Sequence, residues 1–413
     1  MGVAASRQSK NNAPGTFVRD VKAQCGVTTL WTRSGGQRPG RAGYTIAEMR
    51  ITKVETIVVN MPMVIEGPVL PQQGGRARTS MDTLLVRVDT DGGVTGWGEG
   101  FGHRIFPATK AALDTLIGPM CVGRDPTAIV ALMGELQRNL TGVGRNGPAM
   151  YALSAIDIAL WDIAGKLAGL PLYRLLGGSA RKTLPAYASL LRYGEPGAVT
   201  HYVERALKRG YRHIKLHEIT VGPIQAAREA AGPDIAIMVD CNCPWRVGEA
   251  IEMAHRFMPF NLKWLEEPVW PPEDHAGLAR VQAQGGIPTA AGENAMLPEF
   301  KSMLEAGAIT YAQPSVTKVG GVTQMRRVMG LADAFGITVV PHSAYFGPGL
   351  IASIHCIAAL SGDSLVERYD ADFAVNPMHD AILPDKNGCL GVPQGAGLGV
   401  EPDPAVIEKL RVG

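Results

Sequence analysis

Three short apolar runs in this chain each end in a carboxylate: Ile237-Met238-Val239-Asp240, Trp264-Leu265-Glu266 and Thr289-Ala290-Ala291-Gly292-Glu293. Glu266 follows Asp240 by 26 residues and precedes Glu293 by 27. Each run is strand-like, and each is followed by a helix-like pattern. A strand, its crossover helix and two turns take roughly that much chain. The three acids therefore belong at the same end of three consecutive parallel strands. The period extends both ways. Lys215 and His217 close Tyr211-Arg212-His213-Ile214-Lys215-Leu216-His217, 23 residues before Asp240. Ser315 falls 22 residues after Glu293, His342 27 after that, and Glu367 25 later. With Ala186-Tyr187-Ala188-Ser189-Leu190 as the opening strand, the count is eight. Eight parallel strands with interleaved helices close into a barrel, and polar residues at their C-terminal ends line one face.

The rest of the 413 residues must be arranged around that barrel. Residues 1–48 are rich in Gly, Ser, Arg and Asn and lack a sustained period. They read as a disordered leader, either an over-long start or a basic organelle-targeting segment. Gly2 with Ser6 also fits the short myristoylation pattern. Residues 49–180 read as an α+β domain. Its strands are Ile51–Asn60, Thr83–Asp89 and Val94–Glu99, the last two joined by the hairpin signal Asp91-Gly92-Gly93. Helices are expected over 107–120, 125–139 and 148–168, the last apolar nearly all round and hence buried. Pro62–Met81 is long for a hairpin connection and makes a candidate lid. The barrel takes 181–370, and the loop-like tail 371–413 packs back on the first domain.

Charge and cysteine usage narrow the function classes. A net charge of +2 gives no electrostatic case for nucleic acid or an anionic membrane. No apolar run reaches the roughly 18 residues needed to span a bilayer. The six cysteines lack an even, secreted-type spacing, so free thiols in a reducing cytoplasm are expected. Cys241-Asn242-Cys243 suggests a soft-metal pair, but no second pair completes such a site.

Three carboxylates at one barrel end raise each other's pKa unless a cation neutralises them. An all-oxygen set suits a hard ion, and Mg²⁺ takes about six oxygens. Asp240, Glu266 and Glu293 would leave positions open for substrate oxygens, which makes the arrangement catalytic. The plainer reading, three acids each capping its own helix, leaves their matching positions in successive units as coincidence. Lys215 and His217, two apart on one strand, point the same way. His342 comes from across the barrel and can serve the opposite face of one substrate carbon. Glu367 can share a proton with a substrate carboxylate. Arg76 and Arg78 in the candidate lid suggest a second carboxylate or a polyhydroxylated chain.

These residues resemble the mandelate racemase and muconate-lactonising branch of the enolase superfamily. The matching stretches include Gly96-Trp97-Gly98-Glu99, Met238-Val239-Asp240-Cys241-Asn242, Trp264-Leu265-Glu266-Glu267-Pro268, Gly292-Glu293-Asn294, Lys318-Val319-Gly320-Gly321, Pro341-His342 and Val366-Glu367-Arg368. They cover about 49–400. The resemblance implies a modified TIM barrel, (β/α)7β, with an N-terminal α+β capping domain completed by the C-terminal tail. It implies Mg²⁺ on Asp240, Glu266 and Glu293, and removal of the proton α to a carboxylate to give an enediolate. A Lys or His base beside Mg²⁺ is a known pattern of the superfamily, not something the spacing reveals. Substrate contacts are expected from Arg76, Arg78, His103 and Arg104, and from Asn242 and Lys318 in the matching stretches.

Two departures from the family pattern bear on the reaction. The racemase-like Lys-x-Lys is here Lys215-Leu216-His217, which puts His217 in the base position. The family's Asp partner of the strand-seven His is here Ser315, which is expected to hydrogen-bond His342 and to leave it acting chiefly as an acid. An acid that protonates a leaving hydroxyl is what a dehydratase needs. Loss of water from a hydroxy or sugar acid is therefore the leading expectation. A racemase, epimerase or lactone cycloisomerase is the alternative, and a barrel without turnover the remote one. The partner is a small carboxylate, with association into a homo-oligomer expected.

Overall fold

The structure, a computed structural model, describes residues 49–64, 79–179 and 181–412. The leader 1–48, the lid residues 65–78 and, with them, Arg76 and Arg78 lie outside the described residues.

Among the described residues the strands form two sheets. The first is antiparallel and contains β1 (Ile51–Val64), β2 (Ser80–Thr90) and β3 (Thr95–Gly100). Both β1 and β2 run further than the sequence suggests, because Met61 pairs Met81 and Pro62 pairs Ser80. The two ends of the candidate lid are thus hairpin. The second sheet contains eight mutually parallel strands. They are β4 (Thr183–Ser189), β5 (His213–Leu216), β6 (Ala236–Asp240), β7 (Leu262–Glu266), β8 (Thr289–Ala291), β9 (Tyr311–Ala312), β10 (Thr338–Val339) and β11 (Val366–Tyr369). Pairing runs in chain order from β4 to β10, and β11 returns to pair β4. The Ser364 hydroxyl donates to Val339 O, and Ser343 N–H donates to Glu367 Oε2 at 2.7 Å, linking the β10 and β11 ends of the barrel.

Alternation along each strand sorts the side chains. Ile214, Leu216, Ile237, Val239 and Leu265 face the surrounding helices and join the main core. Tyr187, Met238, Trp264, Ala290, Val340 and Leu365 fill the barrel interior. The inward series ends, at the C-terminal mouth, on Lys215, Asp240 and Glu266, all buried.

The helix Pro148–Ala168 is buried along almost its whole length. Strand β3 can lie directly on it because Gly96 and Gly98 carry no side chain. A Cβ there would sit 2.1 Å from Ala159 O and 2.0 Å from Ala155 O. The helix's few polar groups connect the layers. Asp162 accepts from Trp97 N–H at 3.0 Å and Leu398 N–H at 2.8 Å, and Asp157 accepts from Thr323 N–H at 2.9 Å. The helix expected at 125–139 begins only at Ile129, because the Asp125 carboxylate takes Thr127 N–H and hydroxyl into a local turn. The tail is more ordered than its composition suggests. It holds β12 (Asp372–Phe373) against β1, β13 (Cys389–Gly391) against β4, and the helix Pro404–Leu410. Asp403 caps that helix on Ala405 and Val406 N–H, with proline in its first turn. Among the described residues no helix is long and apolar enough to cross a membrane.

One buried histidine sets an expected acid sensitivity. His355 stacks on Tyr173 with ring centroids 5.8 Å apart and donates from Nε2 to Leu398 O at 3.0 Å. Burial lowers its pKa from 6.5 to about 4. The unfolded chain therefore binds the extra proton first. Stability is full above about pH 6.5 and falls as pH drops toward about 4. Urea melts should show the parent losing roughly 3 kcal/mol more than His355→Gln across that window. Parallel pH profiles for the two proteins would count against it.

Candidate active site

Lys215 is the centre of the barrel mouth. Its ammonium lies 3.2 Å from Asp240 Oδ2, 2.9 Å from Glu266 Oε1 and 2.9 Å from Glu367 Oε1, and the side chain is fully buried. Burial alone would lower its pKa, but Glu266, Glu367 and Asp240 together hold it well above the ordinary lysine value. A lysine locked in this way is a fixed cation and a poor base. Its partners respond accordingly. Burial works to raise Glu367, yet the Lys215 ammonium holds it down at about 2. Asp240 is likewise lowered against its burial by Lys215 and His217. Glu266 goes the other way, raised by burial and by the neighbouring Asp240.

Glu293 stands on other cations. Its Oε1 is 3.1 Å from Lys318 Nζ and its Oε2 is 3.0 Å from His342 Nε2. Lys318 Nζ also donates to Asn294 Oδ1 at 3.0 Å and lies 4.2 Å from the centre of the Phe101 ring. Among the described residues no three His, Cys, Asp or Glu side chains are gathered as a ligand set. Asp240 and Glu266 share Lys215, while Glu293 is held by Lys318 and His342. The donor set nevertheless suits a hard cation. Each acid has one oxygen fixed by neutral amide, indole or backbone donors. Trp264 Nε1 and Gln313 Nε2 donate to Glu266 Oε2, Asn242 N–H and Nδ2 donate to Asp240 Oδ1, and Asn294 Nδ2 donates to Glu293 Oε1. Such outer contacts orient carboxylate ligands. The backbone turns through positive φ beside every one of the three acids, at Asn242 (54°) and Cys243 (56°), at Glu267 (42°) and at Gly292 (126°). Strain of this kind concentrates at functional sites.

Two imidazoles complete the mouth. His217 Nδ1–H donates to Leu190 O at 2.5 Å, which leaves Nε2 to accept a proton. Nε2 faces Asp240 Oδ2 at 3.3 Å, so an imidazolium formed there meets a carboxylate. His342 is 5% exposed, and its Nδ1 has no hydrogen-bond partner among the described residues. The expected Ser315–His342 hydrogen bond is therefore not made. Ser315 Oγ lies 3.4 Å from Thr317 Oγ1 and also bonds Tyr345, since its short side chain is held at its own turn. Glu367 is also held from both sides. Its two oxygens are engaged by Lys215 and Ser343 N–H, which favours its ionised form.

His103 reaches the barrel mouth from the capping side. It donates from Nε2 to Ala344 O at 2.8 Å and stacks on Phe101 at 5.0 Å. Arg104 is exposed. The Cys241–Cys243 pair does not look like a metal site, because burial pushes both thiols up, away from the thiolate form.

Arg192 is the residue that the strand-end pattern misses. It sits just beyond β4 and donates from Nε to His217 O at 2.5 Å. Its Nη2 reaches Cys241 O at 3.0 Å and Asn242 Oδ1 at 3.1 Å. One guanidinium thus ties together the ends of three barrel strands. Arg192→Ala should lower kcat about 10- to 100-fold with the fold retained by circular dichroism. An unchanged kcat would remove Arg192 from the site's support.

The comparisons with known proteins agree with this architecture. Residues 198–406 match the enolase C-terminal domain-like family, and residues 53–177 match the N-terminal domain family of mandelate racemase and muconate lactonizing enzyme. The D-galactarolactone cycloisomerase of Agrobacterium fabrum is 33% identical over 350 residues, covering 80% of this chain and 91% of that protein. The D-galactonate dehydratase of Ralstonia nicotianae is 31% identical over 355 residues, covering 79% and 91%. A racemase from Streptomyces coelicolor A3(2), solved with bound magnesium, superposes with a TM-score of 0.77 at 28% identity, over 88% of this chain and all of that one.

Proposed function

Because the chain belongs to the mandelate racemase and muconate lactonizing enzyme family of the enolase superfamily, we propose that it removes the proton α to the carboxylate of a sugar or hydroxy acid and then expels a β-hydroxyl as water. The observation that carries this reading is the pair of imidazoles. Each rests on a different carboxylate, His217 on Asp240 and His342 on Glu293. Asp240, Glu266 and Glu293 would hold magnesium, which when bound supplies positive charge against a substrate carboxylate as its α-carbon loses a proton.

In this reading His217 takes the α-proton on Nε2, the nitrogen that faces Asp240 while Nδ1 is held by Leu190 O. Asp240 stabilises the imidazolium that results. The electron pair left on the α-carbon forms the new double bond as the β-C–O bond breaks. His342 gives its Nε2 proton to the departing oxygen, so water leaves, and from a 2,3-dihydroxy acid an enol remains. The enol becomes a 2-keto acid on reprotonation. Lys215 neutralises the inner carboxylates throughout and takes no part in proton transfer. The five described cysteines are all free, which supports a reducing cytoplasm as the place of action.

A second reading is favoured by the similarity to a cycloisomerase. Were His217 and His342 to flank one carbon from opposite sides, a proton could be returned on the other face, or the enediolate could close or open a lactone, as the name of the similar cycloisomerase suggests. Incubation with a panel of sugar acids and lactones in D₂O separates the two. A semicarbazide-reactive 2-keto product is the expected result. Deuterium in recovered substrate at both configurations, without keto acid, would establish the isomerase instead. No exchange and no product with any acid would defeat both.

A further inference from the structure

A cavity of about 130 Å³ lies behind the loops that carry Glu293 and Lys318, walled on one side by Met296 and Val319. Four polar side chains line it: Gln137, Arg145, Gln324 and Arg327. They come from different segments. Gln137 belongs to the helix Ile129–Asn139, and Arg145 to the loop before Pro148–Ala168. Gln324 and Arg327, three apart on the helix Gly321–Ala334, share one face.

None of the four has a hydrogen-bond or ion-pair partner among the described residues, and no acidic side chain lines the cavity. For exposed arginines alone that would mean little. Gln324 is different, because it is only 7% exposed. Its stem is packed against Gly320 while its amide opens on the cavity, so its donors and acceptor are presented to whatever enters. The helix Leu297–Glu305 also begins at this wall and adds its partial positive charge. Glu299 in its first turn accepts from Met296 N–H at 3.2 Å, however, so its carboxylate offsets much of that charge and the arginines and amides carry the site.

We propose that Gln137, Arg145, Gln324 and Arg327 form a binding site for a small oxyanion, phosphate or a short carboxylate, separate from the candidate active site. Two guanidinium groups and two amides supply only N–H donors and uncharged acceptors, which suits a compact oxygen anion and rejects cations. The site does not depend on the reaction proposed above. Its position gives it a handle on that reaction, since Met296 and Val319 follow Glu293 and Lys318 within three residues. Occupancy would bias the placement of those two loops, and through them turnover.

The test is calorimetric titration of the full chain with inorganic phosphate and, in parallel, malonate. Both are run in EDTA, at ionic strength held constant with chloride. Saturable binding of one anion per chain is expected for at least one of the two, and the tighter of them identifies the source of the oxyanion. Arg145→Ala and Arg327→Ala, both at exposed positions, should each weaken that binding at least tenfold with unchanged circular dichroism. Binding that survives both substitutions would overturn the assignment. So would the absence of saturable binding by either anion.

Discussion

Replacing His217 by Asn should lower kcat about 10²- to 10⁴-fold while the melting temperature stays near that of the parent. The asparagine amide can still donate to Leu190 O, so the end of β5 keeps its shape. What disappears is the ring nitrogen at Nε2, the atom that faces Asp240. A general base lost in this way removes a proton-transfer step and leaves binding largely intact. The expected signature is therefore a fall in kcat with KM little changed. Exchange of the α-proton with D₂O should fall in parallel, whichever outcome follows the first step. If His342 were the base instead, the His217 variant would keep its exchange. Retained exchange with lost product would move His217 from base to product-forming acid, and unchanged kcat would remove it from the reaction.

The barrel was legible because two periods coincide in the sequence. Alternation places Lys215, Asp240 and Glu266 inward, and the βα spacing brings their strand ends to one face. Asn242 and Gly292 suit the positive-φ turns beside the candidate ligands, although the strand pattern did not single those turns out. Cys243 and Glu267 adopt the same region without any such sign. The part of the site that depends on reach across the barrel was not legible. That Lys215 binds Glu367 as well as Asp240 and Glu266 follows from β11 pairing with β4, which brings a residue 152 positions distant into contact. Ser315 shows the converse. Its place in the sequence matches the family's Asp, but its hydroxyl is engaged by Thr317 and Tyr345 instead of His342. Arg192 escaped because its partners are two backbone carbonyls and an amide, and no side-chain pattern records those.

Lys215→Met should cost about 3–5 kcal/mol of stability in EDTA, the loss expected when one partner of a buried ion pair is removed. The methionine fills similar space, so the penalty comes from charge and not from a cavity. Asp240, Glu266 and Glu367 all direct an oxygen at the Lys215 ammonium, and each is at most 2% exposed. Without the ammonium they must repel one another or take up protons. The sign of the pH dependence follows. Asp240 and Glu367 are depressed in the folded parent, so their contribution is present above the ordinary carboxylate values of 3.8 and 4.5. It is lost as pH falls through the folded values, about 2 for Glu367. The gap between parent and variant should be widest near neutrality and should close in acid. Magnesium would offer two of these carboxylates, Asp240 and Glu266, a different positive charge, so adding it should recover part of the loss by mass action. A variant within about 1 kcal/mol of the parent would mean these carboxylates are hydrated or already protonated. The ammonium would then no longer account for the balance of charge at the barrel mouth.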